Sequence, residues 1–500
     1  MFKKRESGIL LHISSLPGKY GIGDLGKTAY SFVDQLESMG QLYWQILPTN
    51  EPNDSNSPYD NSSSFAQNPM LISLDLLYED KLLEKSDFDN VPLSGQSKIE
   101  FDKLKKWKKP ILLKAAKAFH IKHQEKKNSN FEKFCKENEF WLEHYTAYKV
   151  LKNRFNQLPW FEWDNESKIY NKIIIARNLK NDFIEIQIIK IIQYFFYKQW
   201  KSLKNYANAK NISLIGDLPI YISHDSADVW ANQNLFKLEK NGDMIVKSGC
   251  PPDYFMEEGQ VWGHPIYNWE SHKKEKYKWW ISRVGFLSTI VDIIRFDHFN
   301  GLLKYWEIPL NHNNGVNGSW SNGPGKLFID ALYDHVPGLK MIAEDLGELS
   351  DEVVELRSFK NIPGMKVFQF EFDKICKDIK ENKVLFTGTH DNDTLIGWFD
   401  KELKKLFHDG NVSIKSNELR RIIDRNSEEI HLEIIKYCME TEYPLVIIPL
   451  QDLIGLHSDC RMNEPGTLNK TNWSWKYNSE DLTNNLIKAM NSMTSNSGRT

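Results

Sequence analysis

Leu445-Val446-Ile447-Ile448 is apolar at every position. A strand with no polar alternation is buried on both faces, as in a parallel sheet covered by helices, rather than half exposed as in an antiparallel one. Seven further short apolar, β-branched runs bounded by turn residues lie upstream, at 8–14, 41–48, 212–222, 290–298, 340–347, 365–373 and 384–391, and the quoted stretch opens the eighth, 445–456. Most are separated by helical stretches. In 28–39, for example, Tyr30, Phe32, Val33, Leu36 and Met39 recur at helical spacing. Eight strands alternating with helices predict an α/β fold, a (β/α)₈ TIM barrel.

The sequence is expected to form a single catalytic domain over 1–500, with insertions where two strand-to-strand gaps exceed one helix. The segment 76–209 is Lys-rich and helical in pattern, including the aromatic stretch 194–200, and predicts a helical subdomain. The segment 223–288 carries Gly, Pro and aromatic residues in loop-like order, and 51–68 is rich in Asn, Ser and Pro. Long loops after barrel strands build active sites, so both are placed over the barrel mouth. No internal repeat is visible, and the polar tail 494–500 is expected to be disordered.

The totals narrow the function. With 64 basic and 67 acidic residues the formal net charge is -3, which gives no field to gather nucleic acid. The charged start Met1-Phe2-Lys3-Lys4-Arg5-Glu6 has no apolar signal region, and nowhere is there an apolar span long enough for a membrane helix, so a cytoplasmic protein is expected. Cys135, Cys250, Cys376, Cys438 and Cys460 are scattered, odd in number and without Cys-x-x-Cys spacing, which argues against a disulfide framework and a zinc cluster. The 16 tryptophans suit the apolar faces of sugar rings, although most such side chains in any protein serve the core.

The decisive pattern is that ionisable residues recur where the apolar runs stop, the position barrel enzymes use for chemistry. Asp217 ends the third run, Arg295 and Asp297 the fourth, Glu344 and Asp345 the fifth, and His390 and Asp391 the seventh. One Asp at a strand end is commonly a helix cap; several neighbouring strands ending so together point to one cavity. Carboxylates in a cleft suggest glycosyl transfer, in which one acid protonates the leaving oxygen and another attacks the anomeric carbon. Arg295 and Asp297, two apart on a strand, share a face, so a fixed cation would keep Asp297 ionised as nucleophile. The apolar surroundings of Glu344 in Ile342-Ala343-Glu344-Asp345-Leu346 would raise its pKa towards that of a usable general acid/base. Asp391 then holds sugar hydroxyls and stabilises developing positive charge. The alternative is a network of buried ion pairs that merely closes the barrel. His298 and His390 flank proposed acids and are placed to bond hydroxyls, whereas His224, His264 and His457 have no such placement. Tyr59, Tyr254 and Trp262 on the mouth loops serve either as loop anchors or as stacking faces for sugar.

At these residues the chain resembles the amylomaltases, also called 4-α-glucanotransferases or disproportionating enzymes, within the α-amylase clan. The motifs run in the family's order over nearly the whole chain. They begin with Leu10-Leu11-His12, Ser14-Ser15-Leu16-Pro17-Gly18, Tyr20-Gly21-Ile22-Gly23-Asp24-Leu25-Gly26 and Ser57-Pro58-Tyr59. Gly216-Asp217-Leu218-Pro219-Ile220-Tyr221, Pro251-Pro252-Asp253-Tyr254-Phe255 and Arg295-Phe296-Asp297-His298-Phe299 follow. Ala343-Glu344-Asp345-Leu346-Gly347, Thr389-His390-Asp391-Asn392-Asp393-Thr394, Arg461-Met462-Asn463 and Pro465-Gly466-Thr467 complete the set.

The resemblance implies Asp297 as nucleophile, Glu344 as acid/base and Asp391 as transition-state stabiliser. It implies sugar contacts from Asp217, Arg295, His298 and His390, with Tyr59, Tyr254, Gln260, Trp262 and Asn463 lining donor and acceptor subsites. It also implies no cofactor, no metal and no separate C-terminal β-domain. The expected donors are maltooligosaccharides or other α-1,4-glucans and the acceptor is glucose or a glucan, with no nucleic acid or membrane partner and a monomeric or simple homo-oligomeric state. Met256 and His264 stand where the family more often has Ser and Asn, and His457 where glycine is usual. These departures bear on the loop over the cleft, hence on acceptor preference and product size. An α-glucan hydrolase and a non-catalytic glucan-binding barrel are the alternative functions.

Overall fold

The computed structural model describes residues 1–2, 4–91, 97–252, 257–347, 350–375, 381–403 and 429–499. Strands are numbered in chain order. The barrel strands are β1 (Glu6–Leu10), β2 (Tyr43–Gln45), β3 (Ser213–Leu218), β6 (Ile293–Phe296), β9 (Met341–Ala343), β10 (Gly364–Val367), β11 (Lys383–Phe386) and β12 (Leu445–Pro449). Each falls in or overlaps one of the eight apolar runs. All pair in parallel, in the order β10-β11-β12-β1-β2-β3-β6-β9. The β9 and β10 edges meet where the Ala343 amide donates to the Pro363 carbonyl at 2.8 Å, bringing the sheet to near closure. Leu445, Val446, Ile447 and Ile448 are fully buried. Their side chains alternate between the barrel interior and the surrounding helices, which is why the stretch carries no polar residue. At Gly8 an added Cβ would lie 2.5 Å from Tyr43 Cβ, so β1 and β2 approach closely only with glycine there.

Helix Lys27–Ser38 turns Ala29, Phe32, Val33 and Leu36 onto the barrel. The Lys-rich segment contributes the helices Phe101–Glu125, Ser129–Glu137, Glu139–Arg154 and Phe183–Ala209. The last buries Ile191, Phe195, Trp200 and Leu203, and the Trp200 indole donates to the Ile290 carbonyl ahead of β6 at 2.9 Å.

Two features differ from the sequence expectation. The loop-like segment contains β4 (Val246–Cys250) and β5 (Gln260–Pro265), which join β7 (Lys304–Pro309) and β8 (Ser319–Asn322) in an antiparallel sheet ordered β5-β4-β7-β8. The polar tail is ordered through residue 499. Helix Asn484–Asn496 runs into it, and the fully buried Arg499 donates to the carbonyls of Met439, Glu6, Tyr443 and Thr441 at 2.6–3.0 Å. Four backbone acceptors outweigh the polar composition that predicted disorder; Thr500 lies outside the described residues. Among the described residues no helix is long and apolar enough to cross a membrane.

Candidate active site

The C-terminal ends of the barrel strands open into a cavity of about 2650 Å³ lined by Tyr59, Arg295, Asp297, Glu344, His390 and Asp391. That exceeds the roughly 300–1,000 Å³ usual for a small ligand and suits an extended one. Asp217 on β3 and Arg295 on β6 are register partners, so their side chains emerge side by side. Arg295 Nη1 donates to both Asp217 oxygens at 2.8 Å and to Asp297 Oδ1 at 3.0 Å. Burial opposes its charge, but the two carboxylates outweigh burial and hold the guanidinium firmly protonated. Asp217 is fully buried beneath the guanidinium while Asp297 is 26 % exposed, so of these two only Asp297 presents its carboxylate to the cavity.

Glu344 follows β9. Its Oε2 accepts from the His298 amide at 2.6 Å and its Oε1 from the Leu346 amide at 3.1 Å. Its carboxyl is pushed up to about 7, mainly by burial and further by Asp297, against the opposing Arg295 and the two amides. The His298 backbone is left-handed, with φ 50° and ψ 51°. That conformation costs a non-glycine residue about 1 kcal/mol or more, and it aims the amide at Glu344. The imidazole meets Trp262 edge-on at 4.8 Å, and burial lowers its pKa.

Asp391 lines the same cavity with its side chain 47 % exposed. Asn463 Nδ2 donates to its Oδ1 at 2.7 Å, and His390 Nε2 lies 3.4 Å from its Oδ2. The Tyr59 hydroxyl donates to Asp217 at 2.7 Å, and its ring stacks on His390 at 5.0 Å, so Tyr59 ties the 51–68 segment to the acids. Gln260 and Trp262, on β5, are joined at 3.1 Å and line the same cavity. The structure thus brings together every sequence-predicted site residue except Tyr254, which, like Met256, lies outside the described residues. His264 is on the cavity wall, whereas His457 is exposed beside Asp400 at 3.5 Å.

Two participants escaped the strand-end search. Arg461 donates to the Asp391 carbonyl at 2.7 Å, and Trp473 packs against Tyr59 at 5.7 Å and His390 at 5.9 Å. Both sit on the long connection after β12. Of the sequence motifs, Arg461-Met462-Asn463 and Pro465-Gly466-Thr467 pointed to that region.

A model of the 4-alpha-glucanotransferase family matches residues 11–483. The chain belongs to this family. The 4-alpha-glucanotransferase of Streptococcus pneumoniae is 40% identical over 494 residues, covering 96% of this chain and 95% of that one. That of Clostridium butyricum is 37% identical over 500 residues, covering 98% and 100%. Among solved structures, the amylomaltase from Streptococcus agalactiae in complex with acarbose matches with TM-score 0.91 at 33% identity, covering 99% of this chain and 100% of that one. This 4-alpha-glucanotransferase therefore carries its acids at the strand ends of a (β/α)₈ barrel.

Proposed function

We propose that this 4-alpha-glucanotransferase works by retaining double displacement on α-1,4-glucans, with Asp297 as nucleophile, Glu344 as acid/base and Asp391 as the acid that holds sugar hydroxyls and stabilises the transition state. Asp297 attacks the anomeric carbon while Glu344 protonates the departing oxygen, giving a covalent glucosyl-enzyme. Glu344 then takes the proton of an incoming 4-hydroxyl from glucose or a glucan, which completes transfer. The observation that carries this reading is the unlike surroundings of two neighbouring acids. Asp297 accepts from a guanidinium at 3.0 Å, whereas the Glu344 carboxyl is held near 7. The segment 51–68 through Tyr59, and β5 through Gln260 and Trp262, border the subsites, with Asn463, His298 and His390 bonding hydroxyls. Near-neutral charge and scattered cysteines support an intracellular enzyme.

The test is incubation of the purified enzyme with maltotriose, following glucose and the oligosaccharide ladder. Products longer than the starting sugar, with glucose released, are expected; shortening alone means hydrolysis. Asp297→Asn should reduce kcat by several orders of magnitude while glucan binding persists, since it removes the nucleophile and leaves the cavity. Undiminished turnover in that variant would sink the assignment.

A further inference from the structure

Between β11 and the short helix Leu395–Trp398, residues 388–394 form a loop that carries His390 and Asp391 into the cavity. Both ends of this loop are held by one side chain. Asp452, on helix Leu450–Ile454 behind β12, is 2 % exposed. Its Oδ2 accepts from the Thr387 hydroxyl at 2.7 Å, and its Oδ1 accepts from the Leu395 amide at 2.9 Å. Thr387 is the last residue before the loop and Leu395 the first after it, so one carboxylate spans the loop's base.

Inside the loop the bonds are local. Asn392 Oδ1 accepts from the Thr389 amide and hydroxyl at 2.9 and 2.8 Å, and Thr389 Oγ1 accepts from the Asp391 amide at 3.2 Å. These set the loop's shape rather than its place on the barrel. Its other anchors to the surroundings include Gln369 Nε2 on the Asp393 carbonyl at 2.7 Å and the Asn463 amide on the His390 carbonyl at 3.1 Å. Beneath it lies a small cavity of about 30 Å³ lined by His12, Thr389, His390, Asn392 and Asp452. Across this small void the hydrogen bonds from Thr387 and Leu395 to Asp452 tie the base of the loop to the helix after β12.

We propose that Asp452 is a positioning residue for glucan transfer: by clasping both ends of 388–394 it sets where the Asp391 carboxylate meets the substrate. This rests on the reading of Asp391 as the substrate-holding, transition-state-stabilising acid. Asp452 does not line the main cavity. Its effect passes through Asp391 and falls on the transition state, because a displacement of about 1 Å in a reacting group can cost on the order of a hundredfold.

The experiment measures kcat and KM for maltotriose disproportionation in Asp452→Ala, Asp452→Asn, Thr387→Val, Asp391→Ala and the pair Asp452→Ala/Asp391→Ala, each checked for folding by thermal melting. Asp452→Ala should lower kcat by about tenfold or more with KM changed less than about threefold, and Asp452→Asn, which keeps an acceptor for the Leu395 amide, should recover most of it. In the Asp391→Ala background the same change should cost less than about threefold, since the residue being positioned is gone. Thr387→Val leaves the Asp452 side chain in place and should lower kcat in the same sense, which decides the matter if Asp452→Ala fails to fold. An unchanged kcat in folded variants, or an undiminished loss in the Asp391→Ala background, would overturn the proposal. Full activity of Asp391→Ala alone would instead overturn the reading beneath it.

Discussion

Glu344 shows how a single carboxyl is tuned by its surroundings. Burial raises its pKa to about 7, and Asp297 adds to the rise. As the proton donor it is active when protonated. A raised pKa keeps that form dominant up to about pH 7, and protonation is lost as pH climbs further. The expected outcome is a basic limb in kcat/KM beginning near pH 7, with about a tenfold loss per pH unit beyond it. Glu344→Gln should abolish the limb and cut turnover by orders of magnitude; a variant that kept both the rate and the limb would exclude Glu344 from proton transfer. At this scale the acids were legible because a charged residue at the end of an apolar run is anomalous, and Arg295 two residues from Asp297 announced their pairing. Trp473 was not, since it interrupts no pattern, and Arg461 was visible only as part of the Arg461-Met462-Asn463 motif. Arg461 acts on a backbone carbonyl seventy positions away, a contact the chain makes only once folded. Tyr59 stood between loop anchor and sugar stacking; its bond to Asp217 and the His390 ring over one face tie it to the acids while it still lines the cavity.

Among the elements, helix Phe183–Ala209 does more than bury an apolar stripe. Gln193 Oε1 accepts from the Gln67 amide at 2.8 Å and its Nε2 donates to the Gln67 carbonyl at 2.9 Å; Gln199 does the same with Ser73 at 2.8 and 3.1 Å. Each side-chain amide pairs the backbone N–H and C=O of one residue, Gln67 in the mouth segment and Ser73 just beyond it. Gln193→Leu keeps the volume but leaves the Gln67 amide and carbonyl buried and unbonded, at a cost of about 2–4 kcal/mol. Denaturant unfolding should register that loss, and maltotriose KM should rise, because the loosened segment carries Tyr59; wild-type stability would show that water or a local shift repairs the peptide. The helix itself was legible from its periodicity, while these two glutamines looked like ordinary polar positions. The antiparallel sheet β5-β4-β7-β8 was not legible. Its strands come from two connections separated by β6, and Gly249, Gly259 and Gly263 interrupt any alternation.

At the scale of the molecule the barrel has two ends with different duties. The strands' C-terminal ends hold the acids, and at the N-terminal rim Arg499 joins segments that are remote in the chain. Its guanidinium donates to Glu6 at the start of β1, to Tyr443 and Thr441 just before β12, and to Met439, the last residue of the preceding helix Ile430–Met439. The barrel was legible because buried parallel strands need uninterrupted apolar runs. This closure was not, because a polar segment reads as solvated until its partners are known, and here the partners are carbonyls with no sequence signature. Removing the side chain would take the Arg499 donor from the carbonyls of Glu6, Thr441 and Tyr443, while Arg5 still donates to Met439 at 3.0 Å. Arg499→Ala should therefore cost about 2–4 kcal/mol in denaturant unfolding, and Arg499→Lys should recover only part, because a point-like ammonium cannot reach carbonyls spread around a planar fork. Since Arg499 does not line the cavity, kcat and KM of the folded variant should match wild type. A fall in kcat with unchanged stability would mean that the two ends of the barrel are coupled.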